Sequence, residues 1–163
     1  MESLKVSVGY YVWRRRWPGL DEITVKFVET EAELEGAVNV RMRVFVVEQQ
    51  IPPEEEMDDA DATATHAIAL RRGQIIGTGR LLYLDDGGAQ IGRMAVDGQF
   101  RRQGVGGQIL AFLEEEARTQ GVGSCLLHAQ EYVKAFYAQC GYMEHGDLFL
   151  EADILHIEMR KEL

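Results

Sequence analysis

The stretch Arg101–Leu110, "RRQGVGGQIL", sets two arginines and three glycines directly ahead of an apolar run. Glycine costs roughly 1 kcal/mol relative to alanine inside a helix, and arginine is seldom buried without a partner. Yet the strongest helical pattern in the chain starts here. Val105, Ile109, Leu113 and Ala117 recur at four-residue steps as a core stripe, with Glu114, Glu115 and Glu116 expected mostly to face water. The pattern runs to about Gln120, where Gly121 and Gly123 stop it. A helix N-terminus presents unpaired backbone N–H groups and the positive end of the dipole. Absence of Cβ at Gly104, Gly106 and Gly107 lets an anion approach those groups, and Arg101 and Arg102 bring positive charge to the same place. On this reading the stretch is a phosphate cradle. A flexible loop in a tight helix–sheet contact is the plainer alternative.

Two other glycine loops are excluded. A P-loop needs Gly-Lys-Ser/Thr, and Gly107 is followed by Gln108. A dinucleotide fingerprint needs an acidic residue at the end of the next strand, which here closes on His128-Ala129-Gln130.

Around the helix the chain reads as a mixture of strands and helices. "KVSVGYYVW" (5–13) has rough two-residue alternation and predicts a strand, and "RRRWPGLDE" (14–22) a loop. "ITVKFVE" is a second strand. A helix follows, capped by Thr30, with Leu34, Val38, Met42 and Phe45 as its apolar stripe and Pro52-Pro53 as its end. "PPEEEMDDADAT" reads as a solvated acidic loop, with steering of a cationic substrate as the alternative. Two strands joined at Arg72-Gly73 form a hairpin, and "AQIGRMAV" is the next strand. Beyond the glycine helix come the strand "SCLLHA", the helix "EYVKAFYAQC" and two final strands. That order describes an α+β domain with one mixed central sheet flanked by helices.

Composition narrows the function. The chain has 163 residues, 46% of them apolar, which suits one domain with a full core. No run approaches the roughly 20 apolar residues of a membrane span, so no membrane partner is expected. Net charge is −10, against a general nucleic-acid binder. Residues 1–20 run against that background: Lys5, Arg14, Arg15 and Arg16 outweigh Glu2 for a net +3, leaving −13 for the rest. Cys125 and Cys140 lack metal-ligand spacing and read as free thiols of the cytoplasm. The acidic cluster lacks the calcium-loop spacing, and no metal is expected.

"RRQGVG" resembles the Arg/Gln-x-x-Gly-x-Gly signature of the GNAT N-acetyltransferases, with Arg101, Gly104 and Gly106 in register. "LHAQEYVKAFYAQCGY" is similar to that family's late strand and its Phe-Tyr helix. "RMRVFVVEQQIPPEEEMDDAD" resembles an ElaA/YjcF-like subgroup. The resemblance covers residues 23–163 as the N-acetyltransferase domain and departs from the family over 1–22, an N-terminal extension. It implies the GNAT fold, with a sheet of about seven strands, and acetyl transfer from acetyl-CoA, as co-substrate, to a primary amine of a small molecule or peptide. Backbone N–H groups across Arg102, Gln103, Gly104, Val105, Gly106 and Gly107 would cradle the coenzyme pyrophosphate, with arginine assistance. The pantetheine arm would pair with Met94, Ala95 and Val96, and the N–H near Met94 would polarise the thioester carbonyl.

Three side chains are candidates for the chemistry. Tyr137, at the family's Phe-Tyr position, is the implied general acid, with a structural hydrogen bond as its alternative. His128 is a candidate base or a core histidine, and Gln130 shares its strand face and is placed to bond the pantetheine. Glu48 ends the first helix as a candidate base or a surface charge, and His66 reads as a structural partner of the acidic loop. Two rival readings stand: a non-catalytic acyl-CoA sensor on the same fold, and an interaction module working through its N-terminal arm. In that arm Tyr10, Tyr11, Trp13 and Trp17 would anchor a sheet edge or a second copy in a homodimer.

Overall fold

A computed structural model describes residues 22–163, so the expected strand over 5–13 and the aromatic arm lie outside the described residues. Seven strands form one sheet in the order β1-β2-β3-β4-β5-β7-β6. They are β1 (Ile23–Phe27), β2 (Thr65–Arg71), β3 (Gln74–Tyr83), β4 (Ala89–Val96), β5 (Ser124–Gln130), β6 (Met143–Glu151) and β7 (Ile154–Glu162). β1 to β4 are antiparallel neighbours, β4 and β5 run parallel, and β5, β7 and β6 are again antiparallel. The β2–β3 turn has Arg72 at φ 51 and Gly73 at φ 76, the pair of positive values that a two-residue hairpin with right-handed strands requires.

Helices cover both faces. Ile75 and Ile76 are neighbours on β3 yet belong to different apolar clusters, and so do Ala95 and Val96 on β4. Successive strand side chains point to opposite faces, so the clusters lie on either side of the sheet. One is closed by α3 (Val105–Thr119), whose Val105, Ile109, Leu113 and Ala117 are all buried, as the stripe requires. Glu114 departs from expectation: it is buried, with Oε2 2.7 Å from Lys161 Nζ of β7. Its place three residues before Ala117 puts it at the margin of the buried stripe.

The other cluster is closed by α1 (Glu31–Arg41), with Thr30 Oγ1 accepting from Glu33 N at 3.2 Å. Its buried face is Ala37, Val40 and Arg41, continued by Val44 in the next turn. Of the expected stripe only Phe45 is buried, while Leu34, Val38 and Met42 are half-buried. The helix continues from Met42 to Glu48 with wider π-helical winding, which rotates the face, and an arginine occupies the core position that an apolar count skips. Pro53 does not merely follow a helix end: it starts the short α2 (Pro53–Glu56).

The acidic stretch is not a free loop. Arg41, 1% exposed, reaches Glu56 and the carboxylate of Asp61 at 2.7 Å. Arg80 reaches Asp58 at 2.6 Å and Asp61 at 2.9 Å. His66 Nε2 lies 2.9 Å from the Asp61 carbonyl oxygen, the structural role expected of it. The arginines hold the Asp61 carboxyl well below its usual range, against the opposing effect of burial. Such a network adds little net stability, but removing one buried partner typically costs about 3–5 kcal/mol.

Candidate active site

β4 and β5 are in register only at Ala89↔Cys125 and Gln90↔Leu126. Beyond that point their facing edges carry no pairing, and a cleft of about 740 Å³ opens between them. Unpaired strand edges offer backbone donors and acceptors to an extended ligand. Met94, Ala95 and Val96 line this cleft on the β4 side. β4 also bulges here. Its register with β3 passes from Thr78↔Ala95 to Arg80↔Gly92, so Arg93 and Met94 together oppose Gly79.

The start of α3 forms the mouth of the cleft, lined by Arg102, Gly104, Val105, Gly106 and Gly107. Gly104 has φ 81, a conformation in which a Cβ is strained, and the preceding turn has Arg102 at φ 60. Gln108 N is the first helix donor to find a partner, Gly104 O at 3.1 Å. The N–H groups of the first turn are the orphan donors of a helix start. Arg101 also lines the cleft, but its guanidinium donates to Val96 O at 2.8 Å and to Glu48 Oε2 at 2.7 Å. That pairing braces the cradle and occupies the carboxylate of Glu48, which does not line the cleft. Gln103 is likewise outside the lining; its amide donates to Gln99 O and accepts from Arg71.

Gln130 lines the cleft, exchanges hydrogen bonds with Gln49 at 2.8 and 3.2 Å, and accepts from the Tyr132 hydroxyl. This tie joins the end of the first helical segment to β5. Tyr137, on α4 (Lys134–Gln139), lines the cleft between the rings of Phe136 and Tyr142. Burial raises its hydroxyl above the usual tyrosine range. Burial also pushes the Cys125 thiol up to about 11, which keeps it protonated and inert at neutral pH.

His128 projects from β5 into the cleft rather than into the core. Its Nδ1 lies 3.0 Å from Glu151 Oε2. A carboxylate only accepts, so Nδ1 carries the hydrogen, while Nε2 lies 3.9 Å from Glu158 Oε2 of β7. The Glu151 bond raises His128 above its ordinary 6.5 and lowers Glu151 below its ordinary 4.5. A raised histidine stabilises the fold fully below its unfolded value and loses that contribution as pH rises through the folded value; a lowered carboxylate loses its contribution as pH falls through its folded value. The stability difference between wild type and His128→Gln, followed by urea unfolding, is therefore expected to be widest between pH 4.5 and 6.5 and to shrink above. A difference that grows with pH contradicts the pair.

Sequence reading missed Arg80, Arg93, Glu151 and His156, all of which line the cleft. His156 pairs with Gln130 across β5–β7, and its Nδ1 lies 2.8 Å from Ile154 O. Its two-residue alternation with Ile154 and Glu158 was the available signal, but nothing local says that β7 borders the cleft.

Comparisons with known proteins agree with this fold. A family model described as an acetyltransferase (GNAT) domain matches residues 27–163. The chain is similar to the uncharacterized N-acetyltransferase YjcF of Bacillus subtilis (strain 168), 35% identical over 135 residues that cover 82% of this chain and 96% of that protein. A crystal structure of an acyl-CoA N-acyltransferase from Pseudomonas aeruginosa matches at TM-score 0.76 and 32% identity, over 87% of this chain and 99% of that one. Escherichia coli ElaA matches at TM-score 0.76 and 25% identity, over 88% of this chain and all of that one (100%).

Proposed function

Because this chain belongs to the GNAT acetyltransferase family, we propose that it transfers an acetyl group from acetyl-CoA to a primary amine by direct attack in a ternary complex. The observation that carries the reading is the opening between β4 and β5 with the glycine-bounded start of α3 at its mouth. Pyrophosphate would sit on the first-turn N–H groups of α3, with Arg102 beside it. The pantetheine arm would lie along the unpaired edge of Met94–Val96. The amine enters from the opposite side, bordered by His128, Glu151 and His156.

In the reaction the amine lone pair attacks the thioester carbonyl carbon, and the C–S bond breaks. The Met94 N–H faces the charge that develops on the carbonyl oxygen, where a fixed donor is worth far more than in water. Tyr137 gives its proton to the departing thiolate. His128 Nε2, with Nδ1 held by Glu151, takes the proton that the amine loses. Glu48 has no part in this, since its carboxylate holds Arg101. The two free thiols, Cys125 and Cys140, support a cytoplasmic setting.

The test is an acetyl-CoA titration followed by a thiol-release assay over a panel of amines. Saturable binding with amine-dependent release is expected. Binding without release across the panel would favour a sensor, and the absence of binding would remove the coenzyme from the reading.

A further inference from the structure

The bulge of β4 is shaped by a side chain that the reaction above does not use. Arg93 stands at φ 51, in the left-handed region. A residue with a Cβ disfavours that conformation by roughly 5- to 30-fold in an equilibrium. Something must hold it there. Arg93 Nε donates to Glu56 O at 3.0 Å, and Nη2 donates to Asp58 Oδ2 at 3.1 Å and Glu55 O at 3.4 Å. These acceptors are themselves fixed: Glu56 is 3% exposed and paired to Arg41, and Asp58 is paired to Arg80. On the other side of the bulge, β3 makes room. A Cβ at Gly79 would lie 2.6 Å from Met94 Sδ, so the side chain of Met94 fills the space that Gly79 leaves.

We propose that Arg93 is a positioning residue: the acidic segment clamps its guanidinium, holds residue 93 left-handed and thereby aims the Met94 N–H at the thioester carbonyl. This rests on the acetyltransferase reading. It gives the acidic stretch, whose Glu55 and Glu56 also border the cleft, a task at the site through the backbone of β4. The side chain acts only through the backbone it fixes, and this separates two replacements. Both Arg93→Gly and Arg93→Ala remove the clamp, but glycine adopts positive φ at no steric cost and alanine does not.

The experiment reads the thioester directly and needs no known amine. [1-¹³C]Acetyl-CoA is bound to the wild type and each variant, and the isotope-edited infrared stretch of its carbonyl is measured. In the wild type the stretch is expected below that of free acetyl-CoA. R93G keeps most of the lowering and R93A moves toward the free frequency, while acetyl-CoA affinity stays the same in all three. With any amine found active, kcat of R93A falls at least about fivefold below that of R93G. If R93A does not fold, R93K replaces it: lysine meets the same left-handed penalty with a weaker clamp, so its frequency must exceed that of R93G. Equal frequencies in R93A and R93G, lowered or not, overturn the proposal, as does an R93K frequency no higher than that of R93G. A wild type that binds acetyl-CoA without lowering the stretch also overturns it and leaves coenzyme binding standing. A wild type that does not bind acetyl-CoA takes down both readings.

Discussion

Gly106→Glu is expected to abolish acetyl-CoA binding in a chain that still folds. Gly106 lies in the first turn of α3, and a Cβ added there meets Phe136 Cζ at 3.5 Å and Val96 Cγ2 at 3.9 Å, both ordinary contacts. The backbone therefore accepts a side chain. Replacing glycine within a helix removes a penalty of up to roughly 1 kcal/mol, and a carboxylate near a helix N-terminus interacts well with the dipole. The midpoint of thermal unfolding should stay level or rise. Binding suffers instead. The new carboxylate would occupy the proposed anion position and face a pyrophosphate, a like-charge juxtaposition costing several kcal/mol. Affinity measured by calorimetry is expected to fall by at least about 10²-fold. Gly106→Ala adds bulk without charge and should fall far less. An unchanged affinity in a folded Gly106→Glu would put the phosphate site elsewhere.

What could be read from the sequence depended on how local the determining physics was. The α3 stripe and its glycine start were legible because a helix writes its buried face at steps of three and four residues. The Arg72-Gly73 turn was legible because two positive φ values in succession have few solutions. The first helix was legible in extent but not in orientation. Its buried face runs through Arg41, and no apolar count selects an arginine whose partners, Glu56 and Asp61, lie 15 and 20 residues on. The acidic stretch misled for the same reason seen from the other side: a run of carboxylates reads as solvated until the arginines that neutralise it are placed.

The site divides along the same line. The cradle glycines and the position of Tyr137 belong to contiguous segments, so a motif carries them. The bulge at Arg93 and Met94 is a mismatch in count between two strands and exists in neither alone. The pairing of Arg101 with Glu48 spans 53 residues, and it redirects two side chains that were both read as functional. Glu151 and His156 reach the cleft only because β6 and β7 follow β5 in space, which the sheet order decides. The proposed coenzyme side of the cleft is built from one strand–turn–helix and so carries a local motif, whereas His128, Glu151 and His156 come from three separate strands.

Tyr137→Phe is expected to lower turnover while leaving acetyl-CoA affinity nearly unchanged. Among described residues the hydroxyl has no hydrogen-bonding partner, and burial is the main cause of its raised proton affinity. The ring packs against Phe136 and Tyr142, with centroids 4.9 and 6.1 Å away, and phenylalanine keeps those contacts. Stability should therefore hold. The proposed pyrophosphate cradle consists of α3 backbone, so binding should hold as well. On the proposed mechanism catalysis loses its proton donor. A positioned acid typically contributes 10² to 10⁴-fold. Here the leaving thiol has a pKa near 8.5, lower than that of the tyrosine, so departure is tolerable unaided and the transfer is not strongly driven. Turnover is expected to fall roughly 10- to 10³-fold. The pH dependence gives a second check. A hydroxyl raised above the ordinary tyrosine value of 10.0 stays protonated through the neutral and mildly alkaline range. The wild type should show no alkaline loss of kcat below that value from this group, and the ratio of wild-type to mutant kcat should stay flat from neutral pH up to it. A mutant within a factor of about two of the wild type would make the hydroxyl a bystander and give the proton to water. A ratio that collapses between pH 7 and 9 would assign the acid to a group that titrates there, which the raised tyrosine does not.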